Sequence, residues 1–221
     1  YPAWKVSEGH SARQYRTESW HGVRVLRTPL WVPHQPGGLK RLIHLASFAL
    51  SSLPVLLAQW RWRPDVVWVV EPPLMCAPAA AAFASLRGAK SRLHIQDYEV
   101  DAAFDLGLIK GNTLRRWVQG AERWLMRRFD RVSTISGRMV ERAKAKGVAV
   151  ERVVHFPNWV DISGITPLGA RSSYRTELGL APDAVVALYS GNMGNKQGLE
   201  ILADVARLLQ GDPRIQFVFG G

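Results

Sequence analysis

Two short stretches of this 221-residue chain carry residue types that could do chemistry. In the first, Gly191, Gly194 and Gly198 stand together with Lys196 in the order GNMGNKQG. Glycines let a backbone approach a ligand closely. Residues 185–189 before the loop are an apolar run, which reads as a buried strand. After it, Leu199, Ile201, Leu202, Val205, Leu208 and Leu209 recur at helical spacing. The free N–H groups and positive dipole end of such a helix favour an anion, and Lys196 would add a full charge. A diphosphate is the obvious anion. The plainer alternative is a glycine-rich turn that only joins strand to helix. The loop is neither G-x-x-x-x-G-K-[ST] nor G-x-G-x-x-G, so neither phosphate-binding fingerprint applies. In the second stretch, Gln96-Asp97-Tyr98-Glu99-Val100-Asp101, three carboxylates follow directly on an apolar strand at 92–95. Ligand loops of parallel sheets sit at such strand ends. Helix caps and solvated turn residues are the alternative.

These stretches need elements to position them. Residues 65–70, DVVWVV, form a clear buried strand that runs into Glu71-Pro72-Pro73. An alanine-rich helix follows at 75–86, closed by Arg87-Gly88. A basic amphipathic helix spans 112–128, with Leu114, Trp117, Val118, Ala121, Trp124 and Leu125 on one face. Strands are predicted at 130–134 and 152–156, with a helix between them capped by Ser136 and ended by Gly147. Residues 162–173 are polar, with Gly and Pro, and read as a linker; a short helix follows at 173–178. Residues 1–27 begin irregularly, with one strand at 23–26. Strands and helices alternate thereafter, which predicts parallel α/β layers with right-handed crossovers.

Residues 39–60 are the most hydrophobic long segment, bracketed by Lys40, Arg41, Arg61 and Arg63. The uncharged run 42–60 is near the length of a membrane span. His44, Ser47, Ser51, Ser52, Pro54 and Gln59 make it a poor one. A helix packed on a sheet and lying at a membrane interface fits better, with Lys40, Arg41, Trp60, Arg61, Trp62 and Arg63 at the headgroups. An ordinary covering helix with a basic rim is the alternative.

The net charge of +11 is uneven. Residues 1–63 carry +7 and residues 110–147 carry +8, against −3 and −1 for 64–109 and 148–221. Such blocks suit nucleic acid or an anionic membrane surface. No RNA-recognition, helix-turn-helix or zinc pattern appears, so no nucleic-acid partner is expected. The single cysteine, Cys76, excludes an internal disulfide framework and a cysteine-based zinc site, and fits a cytoplasmic setting. No metal site is visible. Both ends of the chain look cut, which predicts a fragment that is inactive and poorly stable alone.

Several segments together resemble glycosyltransferase family four. They are Pro157-Asn158-x-Val160-Asp161, the helix Arg175-x-x-Leu178-Gly179-Leu180, the strand and glycine loop that follow, and the earlier unit VSTISGRMVERA. The runs QDYEVDAAFDLG and GNMGNKQG are similar to the branch that builds colanic acid and related exopolysaccharides, the fucosyltransferase-type enzymes above all. Two patterns depart from many family members. Asn192 stands where they have arginine, and Gln96 stands where they have histidine before Asp97.

The resemblance implies an α/β fold of GT-B type with two Rossmann-like parallel-sheet domains. Residues 1–160 would form the N-terminal, acceptor-side domain, lacking its first strand. Residues 161–182 would be a linker with Asn158 and Asp161 at the hinge, and 183–221 the start of the nucleotide-sugar domain. It implies transfer of a sugar from a GDP- or UDP-sugar, with retention of configuration and no cofactor, to a lipid-linked or oligosaccharide acceptor. The enzyme would lie on the inner face of the cytoplasmic membrane. Gly191, Asn192, Lys196 and Gly198 would contact the donor diphosphate. Glu71, Gln96, Asp97, Tyr98 and Glu99 would line the acceptor side, with Asp97 and Glu99 as candidate catalytic groups. A nucleotide-sugar epimerase of the same fold, or a basic nucleic-acid- or membrane-binding protein without catalysis, are the other readings.

Overall fold

A computed structural model describes residues 4–35, 37–105, 111–167, 169–194 and 197–221. The chain divides into two units, Tyr1–Asn158 and Trp159–Gly221.

The first unit opens with an antiparallel hairpin, β1 (Arg16–Trp20) and β2 (Val23–Arg27), in register from Arg16↔Arg27 to Trp20↔Val23. His21 and Gly22 make its two-residue turn, both at positive φ (48° and 81°), as a right-twisted hairpin requires. The sequence reading found β2 and missed β1. Helix α1 (Gly38–Ala58) follows, and only His44 on it is buried. The segment before α1 is tied along it: Ser51 Oγ donates to Pro29 O (2.6 Å), Trp31 N donates to Ser47 Oγ (3.0 Å), and His44 Nδ1 meets Trp31 O. Its other principal contacts are with a 3-10 turn, Leu74–Cys76, and the helix after it. The sequence predicts a helix packed on a sheet; instead its principal contacts are with these elements.

Four parallel strands form that sheet: β3 (Val66–Glu71), β4 (Lys90–Ile95), β5 (Arg131–Thr134) and β6 (Val153–His155), in that spatial order. The crossovers are α2 (Ala77–Arg87), then the pair α3 (Glu99–Asp105) and α4 (Asn112–Met126), then α5 (Gly137–Ala145). Gly88 ends α2 at φ 70°, and Ser136 Oγ accepts from Met139 N at the start of α5, as expected. Val69, Leu93, Ile95 and Val132 point to one face, and with Met126, Phe129 and Ala143 they make the core. β3 is not buried on both sides. Val66, Trp68 and Val70 are 44–47% exposed, because only the odd-numbered face of that strand is packed by helices.

The second unit pairs β7 (Val185–Ser190) with β8 (Ile215–Gly220) in parallel, joined across α7 (Glu200–Leu208). Residues 161–182, read from sequence as a linker, fold with it. They include a 3-10 turn, Ile162–Gly164, and α6 (Tyr174–Glu177), and Arg175 Nη1 donates to Ala184 O at 3.1 Å. β7 is half-exposed rather than buried, with Val185 and Leu188 open to solvent, because two strands and one nine-residue helix cannot cover both faces. Each unit, taken by itself, has the parallel α/β pattern expected for the GT-B type.

Candidate functional site

The parallel strands of the first unit deliver Glu71 and Gln96 to the same edge, since β3 and β4 end in register at Glu71↔Ile95. Two carboxylates then lace the following loops together. Glu71 Oε1 accepts from Glu99 N (3.3 Å), and Glu99 Oε2 accepts from Leu74 N (2.6 Å). Glu71 is 1% exposed and its Oε2 has no partner. Burial, aided by the charges of Glu99 and Glu122, pushes its pKa up to about 9, so it is a neutral acid at pH 7. Burial also raises Glu99, against the Leu74 N–H and Arg41. Tyr98 is buried, and its hydroxyl donates to Met139 O (2.8 Å). Glu71 and Tyr98 therefore lie under the surface where the sequence reading had placed them facing an acceptor. Asp97 and Glu99 stay half-buried at the strand ends.

Beside these loops lies a cavity of about 470 Å³ between α1, the turn 74–76, α3 and α4. Arg41, Asp97, Glu99 and Glu122 are its charged lining, and the rest is mostly apolar. On the other face of the sheet a hydrogen-bonded chain runs from Ser133 to Asn158. Gln96 Nε2 donates to Asn158 Oδ1 (3.0 Å) and to His94 Nε2 (3.0 Å). An amide N–H can only donate, so His94 Nε2 accepts and its Nδ1 carries the proton to Ser133 Oγ (2.9 Å). Burial lowers the His94 pKa, in keeping with a neutral ring. Phe156 packs edgewise on it and Trp68 packs against it at a tilt. Gln96 and Asn158, assigned separate roles from sequence, are thus one contact.

Residues 6–159 match the glycosyl transferase 4-like domain. The chain belongs to that family. It is 44% identical over 225 residues to the Escherichia coli (strain K12) protein WcaI, named as a colanic acid biosynthesis glycosyl transferase. That match covers all of this chain and 55% of the relative, so the chain spans about half its length. Among solved structures it is similar to Anabaena Alr3699/HepE, crystallised with UDP and glucose, at TM-score 0.55 and 19% identity over 84% of this chain and 45% of that one. A second structure of that protein, with UDP, gives TM-score 0.51 and 15% identity over 85% and 60%. At these identities the likeness is one of fold.

In this glycosyl transferase 4-like chain the glycine loop belongs to the second unit. Gly191 N donates to Gly220 O (2.9 Å), and Tyr189 Oη donates to Asn192 O (2.8 Å), which together set the start of the loop. Gly198, at φ 61°, stands just before α7, whose first turn carries Glu200. Asn195 and Lys196 lie outside the described residues. Asp161 caps its own turn through Ser163 N (2.9 Å). Lys40 and Arg41 lie in the first turn of α1, while Trp60, Arg61, Trp62 and Arg63 follow its end, all exposed. Trp60 also packs on Phe83 and under Arg87.

Sequence reasoning missed a buried ion cluster beneath the strand-end loops. Lys146 Nζ contacts Glu122 Oε2 and Asp101 Oδ2 (2.9 Å), and Arg142 Nε donates to the same Asp101 oxygen (2.8 Å). Burial alone would raise Asp101, but Arg142 and Lys146 hold it below the usual carboxylate range. Glu122 is pushed up by burial, with Lys146 opposing, and its Oε1 is unpartnered. Glu122 sits four residues after Val118 and three before Leu125, on the inward stripe of α4, and that spacing was the available signal. Among the described residues no group of three or more His, Cys, Asp or Glu is placed to hold a metal ion.

Proposed function

We propose that the intact protein transfers a sugar from a nucleoside diphosphate donor to a lipid-linked acceptor, at a membrane surface, in assembly of an exopolysaccharide of the colanic-acid kind. The family match over residues 6–159 carries this reading, and the 44% identity to a relative named for colanic acid biosynthesis narrows it. The Anabaena protein shares the fold and was crystallised with UDP, so UDP-sugars stand beside GDP-sugars as donors to test. Transfer places growing negative charge on the leaving diphosphate. A preorganised helix end and a lysine stabilise that charge more in the transition state than before it. Gly191, Asn192, Lys196 and Gly198 fill this role. Gln96, Asp97 and Glu99 serve the acceptor side, while Glu71 and Tyr98 hold the loops that carry them. Configuration is retained, as in the family it resembles.

The test is nucleotide release by the full-length protein from a panel of GDP- and UDP-sugars, with and without a membrane lipid extract. Release that requires the lipid extract supports the proposal. Conversion of the donor sugar without any acceptor would mark an epimerase instead. In the same assay Lys196→Ala should cost about tenfold in kcat/KM, the lower end for a charged phosphate contact of roughly 1.5–3 kcal/mol. Unchanged kinetics would remove Lys196 from the donor site.

The membrane reading rests on α1. Leu39, Ile43, Leu50 and Leu57 are 47–72% exposed and fall on one stripe along the helix. Cationic residues flank both of its ends, as a helix lying flat on an anionic surface would need. The protein should float with anionic liposomes at low salt, and high salt should release part of it. Failure to float at low salt would defeat this part.

A further inference from the structure

The cavity beside the strand-end loops differs from the surface around it. Leu42 and Leu45 of α1 line it from a face of the helix adjoining the exposed Leu39–Ile43–Leu50–Leu57 stripe. On the opposite wall, Val118, Trp124 and Leu125 of α4 line it; Trp124 is also 57% exposed, and Leu114 and Trp117 on the same helix are 49% and 76% exposed. The apolar interior therefore continues into apolar residues left open to the outside. Contiguous exposed apolar surface of this kind marks sites that meet a ligand, a partner or a membrane. Arg41, exposed and lining the cavity, places a cation at this edge.

We infer that this cavity takes the single apolar chain of a lipid phosphate, drawn in past the exposed residues of α1 and α4, with Arg41 at the phosphate. This deepens the membrane-acceptor reading above and rests on it. The chain fits by volume. Taking a methylene as about the size of a water, ~30 Å³ in the liquid, 470 Å³ holds on the order of fifteen. The strand-end carboxylates Asp97 and Glu99 also line the cavity, so a head group at its edge would lie beside them.

The probe is a photoactivatable hexadecyl phosphate, used below its micelle concentration on the full-length protein, with labelled peptides mapped by mass spectrometry. Label should fall on the inward residues Leu45, Val118 and Leu125. Hexadecyl phosphate should compete at least tenfold better than octyl phosphate, and inorganic phosphate should not compete. Ala121→Trp and Ala103→Phe, each adding bulk to the wall, should abolish the inward label while melting and liposome flotation stay as in the wild type. If one variant fails to fold, the other and the wild-type map still decide. Label confined to the outer stripe of α1, unchanged label in both variants, or equal competition by inorganic phosphate would overturn the inference. Loss of flotation with the inward label intact would remove the membrane reading and leave the chain site standing.

Discussion

Lys146→Met should destabilise the first unit by roughly 3–5 kcal/mol, the range for removing one partner of a buried ion pair. Lys146 is 8% exposed and serves two carboxylates at once, Asp101 at 2.9 Å and Glu122. Methionine matches its length and fills its volume, so the loss is electrostatic rather than a cavity. Arg142 still contacts Asp101, from an exposed position. Glu122, 2% exposed, then loses its direct ion-pair partner, which favours uptake of a proton. At about 2–4 °C per kcal/mol for a chain of this size, melting should fall by roughly 6–20 °C. Adding Glu122→Gln to Lys146→Met should recover part of that loss, because an amide needs no counter-charge. A variant that melts within 2 °C of wild type would show that the cluster contributes nothing net to stability.

Glu71→Gln should do the reverse, by an amount that grows as pH rises above about 5. In the folded chain Glu71 keeps its proton up to about pH 9, whereas an unfolded glutamate releases it near 4.5. Between those values the folded state holds more protons than the unfolded one, so stability falls as pH rises through the window. Glutamine does not titrate, and its carbonyl can still accept from Glu99 N. The variant should therefore match wild type at pH 5 and exceed it by about 3 kcal/mol at pH 8, allowing for relaxation of the site. Urea unfolding at the two pH values measures this. Parallel pH dependence in wild type and variant would show that Glu71 is ionised in the fold.

The fold was largely legible because its strands and helices carry strong apolar periodicity. Residues 65–70, 92–95, 130–134 and 152–156 were each placed within a residue or two of the observed strands. β1 was not, because Arg-Thr-Glu-Ser-Trp has no apolar alternation and its turn, His-Gly, lacks the usual hairpin signal. α3 was hidden because a seven-residue helix opening on Glu99 and Asp101 looks like a capped turn. The sequence also overstated burial. A run such as Val-Val-Trp-Val-Val reads as packed on two faces, yet nothing in the local pattern says whether a helix covers the second.

Of the candidate site, the strand-end position of Gln96 to Glu99 could be read, and the depth of each side chain could not. Tyr98 and Glu71 have the composition of cleft residues and the burial of core ones. Lys146 was invisible among the eleven cations of residues 110–147, since its neighbour Lys144 has the same spacing rules but a surface ion pair with Glu141. Only three-dimensional packing separates the two.

The order of the four parallel strands has a consequence for how the chain is made. Their spatial order is their order of synthesis, so each new strand adds to an edge already present and none must insert between two earlier ones. A ribosome delivers on the order of ten residues per second, far slower than helix formation or loop closure. Each crossover can therefore settle before its strand arrives. The sheet is suited to vectorial, co-translational assembly, and the ion cluster would be among the last contacts made, because Lys146 is delivered after both of its carboxylates.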